Sequence, residues 1–440
     1  MKQLLQTAVA TLIGLSLPHS IAAENSITPV FEDNLDNIQK FLENWTFRPA
    51  DGESVVDFLP HGDENGNGCV RITCTDRNAC SITHKLTGLQ PGKLYRVSAR
   101  MKCDNVSEGR GAILSLKPEE SRDQPWNASE FLYGTNEWQT VYMDFLSDPK
   151  GNAHICAGVG FPWPTSNGGT AKGSVMIDDI SVALTPEDEI YAREANHLSL
   201  YLCRDKVKLD DVQADAWLKQ LDLAYEAYAE LLGETPYGGR KISILNTPGI
   251  EPGYWALAGN PILWNSNVAV TEALDKFATN GDCCFGILHE IGHTFSAGTI
   301  GHPDRWNWND EIFANFRMSY ALERNNTTVI MRDTKYTGAD IKNYYKIFYD
   351  ETIGAGKPEL NGDALHYTFL RIKDRFGWDL YKKAFRSLYS LSEADMAHLD
   401  SDYKKFRFFI DHLSSAAGED LYQTMYTPHE RSLLEQAFTR

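Results

Sequence analysis

The sequence predicts a multidomain chain, with an all-β sandwich over residues 24–185 followed by an α+β, mostly helical domain over residues 186–440. Three observations lead there. Before residue 185, short segments alternate apolar and polar residues between turns, the period of strands with one buried face. After it, apolar residues recur at helical spacing. Between the two lies Thr185-Pro-Glu-Asp-Glu-Ile190, which follows neither pattern.

The chain opens with Lys2, an apolar run from Leu4 to Leu17, and the small residues Ser20, Ala22 and Ala23. That is the pattern of a cleavable signal peptide over residues 1–23, too short to span a bilayer comfortably. A secreted or periplasmic protein is expected, with no membrane span. In the sandwich region, Leu94-Tyr-Arg-Val-Ser-Ala-Arg-Met101 follows the turn Gln90-Pro-Gly-Lys93. Trp138 to Met143 and Ser174 to Val182 alternate likewise, and no helix is expected between such strands. In the second region, Val212 to Leu232 carries Trp217, Leu221, Ala224, Tyr228, Leu231 and Leu232 on one face and stops before Gly233. Lys241 to Leu245 reads as a strand, and helices fit Asp282–Ala297, Asp310–Arg324, Asp363–Phe376 and Asp379–Tyr389.

The formal charge is −18, from 60 acidic against 42 basic residues. That disfavours nucleic acid or an anionic membrane as the main partner. An anionic glycan would need a locally neutral or basic cleft. Eight cysteines in an exported chain allow disulfides, whose pairing the sequence does not give. Cys283 and Cys284 read as buried or bridged rather than nucleophilic, and no Gly-x-Ser-x-Gly elbow is present.

The chemistry concentrates in His289-Glu-Ile-Gly-His293. On a helix, positions i and i+4 share a face about 6 Å apart, so two imidazoles can grip one zinc ion. Glu290 projects from the neighbouring flank, where a carboxylate can reach a water without ligating the ion. A catalytic zinc commonly has a third protein ligand. Glu311 supplies one at the start of a second helix, Trp308-Asn-Asp-Glu-Ile-Phe-Ala-Asn315. One turn beyond it, Asn315 can hydrogen-bond a ligating histidine from behind. Asp310 is the alternative third ligand, but its i+4 neighbour is Ala314, which orients nothing, and its position suits an N-cap.

His-Glu-x-x-His followed by Glu-x-x-x-Asn resembles the thermolysin-like zinc peptidases with a glutamate third ligand, the gluzincins. Within them the chain is most similar to the enhancin-like, mucin-targeting metallopeptidases. Ala256-Leu-Ala-Gly-Asn-Pro-Ile262, Trp306 to Asn315 and Arg375-Phe-Gly-Trp-Asp-Leu-Tyr-Lys-Lys-Ala-Phe385 carry the likeness, over about Ile250 to Ala384. Asn260 stands where an aromatic residue is expected. The resemblance implies a zincin-type peptidase domain with His289, His293 and Glu311 on Zn2+ and Glu290 as general base. Candidate oxyanion donors are Tyr367 and His366. By analogy, Gly259 to Trp264, with Asn260 among them, forms an edge strand that lines the substrate cleft.

Leu86 to Arg100 and Ile177-Asp-Asp-Ile-Ser-Val182 resemble jelly-roll carbohydrate-binding modules. Trp126, Tyr133, Trp138 and Trp163 are candidate sugar-stacking rings, with core packing as the alternative for each. Asp178 and Asp179 are candidate ligands for a structural Ca2+, with a loop role as the alternative. The expected partners are glycans on the sandwich and a glycosylated, mucin-like substrate at the metal. A glycan-binding adhesin with an inert peptidase fold and a peptidase indifferent to glycans are the rival readings.

Overall fold

The structure, a computed structural model, describes residues 28–49, 53–117, 126–161, 169–207, 209–250, 254–266, 269–359 and 361–439. The leader over residues 1–23 and Trp163 lie outside the described residues.

The N-terminal part comprises, in chain order, β1 (Phe31–Asp33), α1 (Ile38–Asn44), β2 (Thr46–Pro49), β3 (Ser54–Leu59), β4 (Cys69–Asn78), β5 (Cys80–Leu86), β6 (Leu94–Ser107), β7 (Ala112–Lys117), β8 (Asn127–Ala128), β9 (Gln139–Leu146), β10 (Ala153–Val159) and β11 (Ala171–Leu184). One antiparallel sheet runs β3-β4-β11-β6-β9 with β1 on β11, and the other runs β2-β5-β10-β7-β8. The alternation in Leu94–Met101 sends Val97, Ala99 and Met101 inward. Val97 opposes Met143 on one side and Val182 on the other, all fully buried. They meet Ile82, Leu114 and Ile155 of the second sheet in one core. The short helix α1 departs from the expectation of strands alone. Its Asn37 cap accepts from Lys40 N–H, and Phe41 is its single buried side chain, too little for a periodic signal.

The C-terminal part follows with β12 (Ile190–Glu194), β13 (Leu198–Cys203), α2 (Asp211–Leu232), β14 (Ile242–Thr247), β15 (Ala256–Leu257), β16 (Ile262–Asn265), α3 (Ala269–Asn280), α4 (Phe285–Thr294), α5 (Asp310–Asn325), β17 (Thr328–Met331), β18 (Thr334–Thr337), α6 (Ile341–Glu351), α7 (Gly362–Phe376), α8 (Trp378–Tyr389), α9 (Asp402–Ala417), α10 (Leu421–Thr424) and α11 (Pro428–Thr439). Its sheet is ordered β12-β13-β14-β16-β15, parallel through β13, β14 and β16 and antiparallel at both ends. Helix α2 starts in a capping box between Asp210 and Gln213 and ends at Gly233 with φ 79°, a left-handed turn that suits glycine. It buries Trp217, Leu221, Tyr225 and Tyr228 against the sheet and the metal-motif helix α4.

The two parts meet through polar contacts and through Leu94, which packs against Leu245, Ile250 and Leu263. Arg96 on β6 holds Asp144 with two hydrogen bonds of 2.9 and 3.0 Å and also reaches Glu189, just beyond the last sandwich strand. Thr247, at the end of β14, donates to the Asn127 side chain at 2.6 Å. Next to it, a Cβ on Gly249 would lie 2.2 Å from the Ala128 carbonyl oxygen, so that approach requires glycine.

Packing of α4 on α5 positions the site. A Cβ on Gly292 would lie 2.9 Å from the Ala314 carbonyl oxygen and 3.1 Å from the Ala314 Cα. The glycine costs helix propensity and gains close backbone approach. Gly292→Ala is therefore expected to destabilise the fold by about 1–3 kcal/mol, although alanine favours helix. Thermal denaturation of the metal-free variant checks this, and an unchanged or raised melting temperature contradicts it.

Candidate metal centre

Helix α4 presents His289 and His293, and the first turn of α5 brings Glu311 to them. His289 Nε2 lies 3.0 Å from His293 Nε2 and 3.0 Å from Glu311 Oε2, while His293 Nε2 lies 3.5 Å from Glu311 Oε1. Tetrahedral zinc with bonds of about 2.0–2.1 Å separates its ligand atoms by about 3.3–3.4 Å. The three donor atoms thus surround a space the size of one such ion.

The far sides of both imidazoles are anchored. His289 Nδ1 pairs with Asn315 Oδ1 and His293 Nδ1 with Asp310 Oδ2, each at 2.7 Å. An ionised carboxylate only accepts, so His293 Nδ1 is the donor and, in the neutral ring, Nε2 keeps its lone pair. Two such nitrogens and a carboxylate oxygen in mutual contact require a proton or a cation between them. In the metal-free protein a proton does this. Burial disfavours a charged His293, but the hydrogen bonds and charges of Asp310 and Glu311 outweigh it and raise its pKa to about 9. Hydrogen bonds from His289 and then His293 hold Glu311 well below the ordinary carboxylate range.

Asp310, the alternative third ligand, faces the other nitrogen of His293. Its N-cap role falls to Asn309, whose side chain accepts from Glu311 N–H at 3.0 Å. Asp310 is fixed by Arg317, a residue the sequence reading did not single out. Arg317 is fully buried, donates to the Gly292 carbonyl oxygen at 2.9 Å and contacts Asp310 Oδ1 at 3.3 Å from both terminal nitrogens. An arginine two turns after Asp310, between the apolar Phe316 and Met318, was the available signal.

Glu290 sits beside this group. Burial raises its pKa, the charges of His289 and His293 oppose that, and its carboxylate accepts a hydrogen bond from the Ala258 backbone. Ala258 follows β15, one of the two edge strands of its sheet. The cleft assignment to Gly259–Trp264 needs correction, because β16 lies inside the sheet between β14 and β15. Trp264 is buried and stacks on Trp217 at 5.7 Å. Asn260 turns its amide inward, accepting from Ser243 N–H at 3.0 Å and donating to the Lys241 carbonyl at 2.9 Å. Gly259 is buried with φ 147°.

Of the two candidate oxyanion donors, His366 points into the core. His366 is fully buried, with Nε2 3.1 Å from Ser319 Oγ and its ring 3.8 Å from Tyr345. Burial pushes its pKa down to about 3, so it is a neutral core histidine. Tyr367 packs its ring on Tyr349 at 4.8 Å, with the Arg371 guanidinium 5.8 Å from its centre. Instead Asp363, in the first turn of α7, lies near enough for the charge of His289 to act on it, along with that of Arg332. Cys283 and Cys284 are buried free thiols, and burial pushes Cys284 up to about 12. Neither is a nucleophile.

In the sandwich, Asp178 and Asp179 face Arg100, whose guanidinium is 3.2 Å from Asp179 and 3.9 Å from Asp178. The same guanidinium is 4.0 Å from Asp63. Trp138 lies under the same guanidinium, 5.1 Å away. Trp126 packs edge-on against Phe161 at 4.8 Å, whereas Tyr133 is 48% exposed, with its hydroxyl donating to the Gly109 carbonyl.

Two imidazoles, an adjacent carboxylate and a further carboxylate beside an edge strand form an arrangement that fits a metal-assisted hydrolase site. Residues 189–423, more than half of the chain, match the model of the peptidase M60, enhancin and enhancin-like family, and the chain belongs to that family. The match extends beyond the Ile250–Ala384 likeness at both ends. No curated protein gives a significant match. Among solved structures, the M60 catalytic domain of Clostridium perfringens ZmpC, in complex with the sialyl T antigen, is 11% identical. That match covers 80% of this chain and 76% of the other, with a TM-score of 0.37. The ZmpB metallopeptidase of Clostridium perfringens is 13% identical, covering 80% and 74%, with a TM-score of 0.36. The CBM22-2 xylan-binding domain of Paenibacillus barcinonensis Xyn10C is 16% identical, covering 35% and 99%, with a TM-score of 0.27.

Two outcomes are expected. Asn315→Ala, which frees the His289 ring, lowers Zn2+ affinity by about 10–100-fold in a chelator-competition titration. A metal can bind only after His293 loses its proton. With a metal-free pKa of about 9, Zn2+ affinity falls about tenfold per pH unit as pH drops below 9 and levels off above it. The same titration repeated across pH checks the slope, and a pH-independent affinity contradicts it.

Proposed function

We propose that this member of the family is an exported, zinc-dependent endopeptidase that hydrolyses peptide bonds in glycosylated, mucin-like proteins. The observation that carries the proposal is the convergence of His289, His293 and Glu311 donor atoms at 3.0–3.5 Å with Glu290 alongside. Two nitrogen donors and one oxygen donor suit zinc. When bound there, zinc supplies Lewis acidity, lowering the pKa of a water molecule and polarising a carbonyl.

The chain's own residues do the rest. Glu290, with its basicity raised by burial, takes the proton of the attacking water and returns it to the leaving amine. Its hydrogen bond from Ala258 fixes the carboxylate next to β15. A substrate strand laid along that outer edge pairs through main-chain hydrogen bonds, which do not demand a particular side chain. Asn315 and Asp310 hold the imidazole tautomers, and Arg317 holds Asp310. The run Leu4–Leu17 supports export.

Selectivity for glycosylated substrates rests on the sandwich as a tether that raises local concentration. A second reading, a peptidase indifferent to glycans, draws on the partial burial of Trp126 and the cover on Trp138. Cleavage of one mucin-type glycoprotein before and after enzymatic deglycosylation separates them, since equal rates favour the second. For the mechanism, Glu290→Gln should keep stoichiometric zinc and lose about 10²–10⁴-fold in kcat. Full activity in that variant would falsify the assignment of Glu290.

A further inference from the structure

A second constellation of metal-ligating groups lies on the far side of α2. His197, in the turn between β12 and β13, faces Asp222 and Glu226, one turn apart on α2. One ligand atom from each lies within 4.8 Å of the other two, and His197 Nε2 is 3.9 Å from Glu226 Oε1. We propose that these three residues form a second divalent transition-metal site, separate from the catalytic one.

Three features distinguish it from a surface ion pair. Asp222 is a carboxylate only 6% exposed, and among the described interactions its single hydrogen bond comes from the His197 backbone N–H at 2.7 Å. A buried carboxylate in that state favours an added cation. The His197 ring is also held, stacked on Tyr225 with centroids 4.4 Å apart and planes within 6°. The turn itself is fixed by Ile242 N–H donating to the His197 carbonyl at 2.9 Å. Two of the three ligands are thus placed by the fold, and Glu226, part-exposed, can swing inward to complete the set. One imidazole with two carboxylates suits zinc, cobalt or manganese better than calcium.

The site would pin the β12–β13 turn to α2. Tyr225, behind His197, packs edge-on against Phe295 at the C-terminal end of α4, with centroids 4.9 Å apart. An ion here would brace the helix that carries His293 from the opposite side, without touching substrate.

The test is Zn2+ stoichiometry by calorimetry on the full-length chain. With His289→Ala and His293→Ala removing the catalytic ligands, one equivalent is expected to remain at micromolar Zn2+. It should vanish when His197→Ala or Glu226→Gln is added. Absence of the remaining equivalent, its persistence in those added variants, or binding only at millimolar Zn2+ overturns the proposal. If the doubly substituted chain does not fold, His197→Ala in the otherwise native chain decides the matter. Loss of one equivalent with peptidase activity retained supports the site, and an unchanged count refutes it. Failure of the catalytic assignment reads out separately, as a count unaffected by removing His289 and His293.

Discussion

The site depends on how closely two helices approach. Gly292 lets the backbone of α4 rest against the Ala314 backbone of α5, and that contact carries Glu311 to the two histidines. Arg317 locks the arrangement from within, tying the Gly292 carbonyl of one helix to Asp310 of the other. Both contacts engage its terminal nitrogens, and the Asp310 carboxylate pairs its charge. One buried side chain therefore fixes the spacing of the helices and the tautomer of a ligand.

The grouping at the candidate metal centre is legible in the sequence where it is local. Helical periodicity places His289 and His293 on one face, and the i+4 relation of Glu311 to Asn315 pointed to the group behind His289. Asp310 illustrates the limit of that logic. It was weighed as a ligand or cap through its neighbour Ala314, yet it works through Arg317, two turns along and bridging to another helix. Nothing in local spacing shows which buried arginine faces which carbonyl.

Sheet order was equally hidden. Gly259–Trp264 reads as an edge strand, but the interior place of Ile262–Asn265 follows from parallel pairing with β14 and antiparallel pairing with β15. That removed Trp264 and Asn260 from the cleft and left the two-residue β15 as the edge on that side. His366 and Tyr367 were similarly ambiguous, since one helix offers faces to core and cleft at neighbouring positions. In the sandwich, strand alternation was plain, while α1, with one buried residue, gave no periodic signal.

The unlike partners of the two histidines have a further consequence. His289 leans on a neutral amide and His293 on an anion that is itself matched by Arg317. A dication together with that guanidinium would balance the carboxylates of Glu311, Asp310 and Glu290, leaving the loaded cluster electroneutral. Emptied, the same pocket is electronegative and draws dications toward itself.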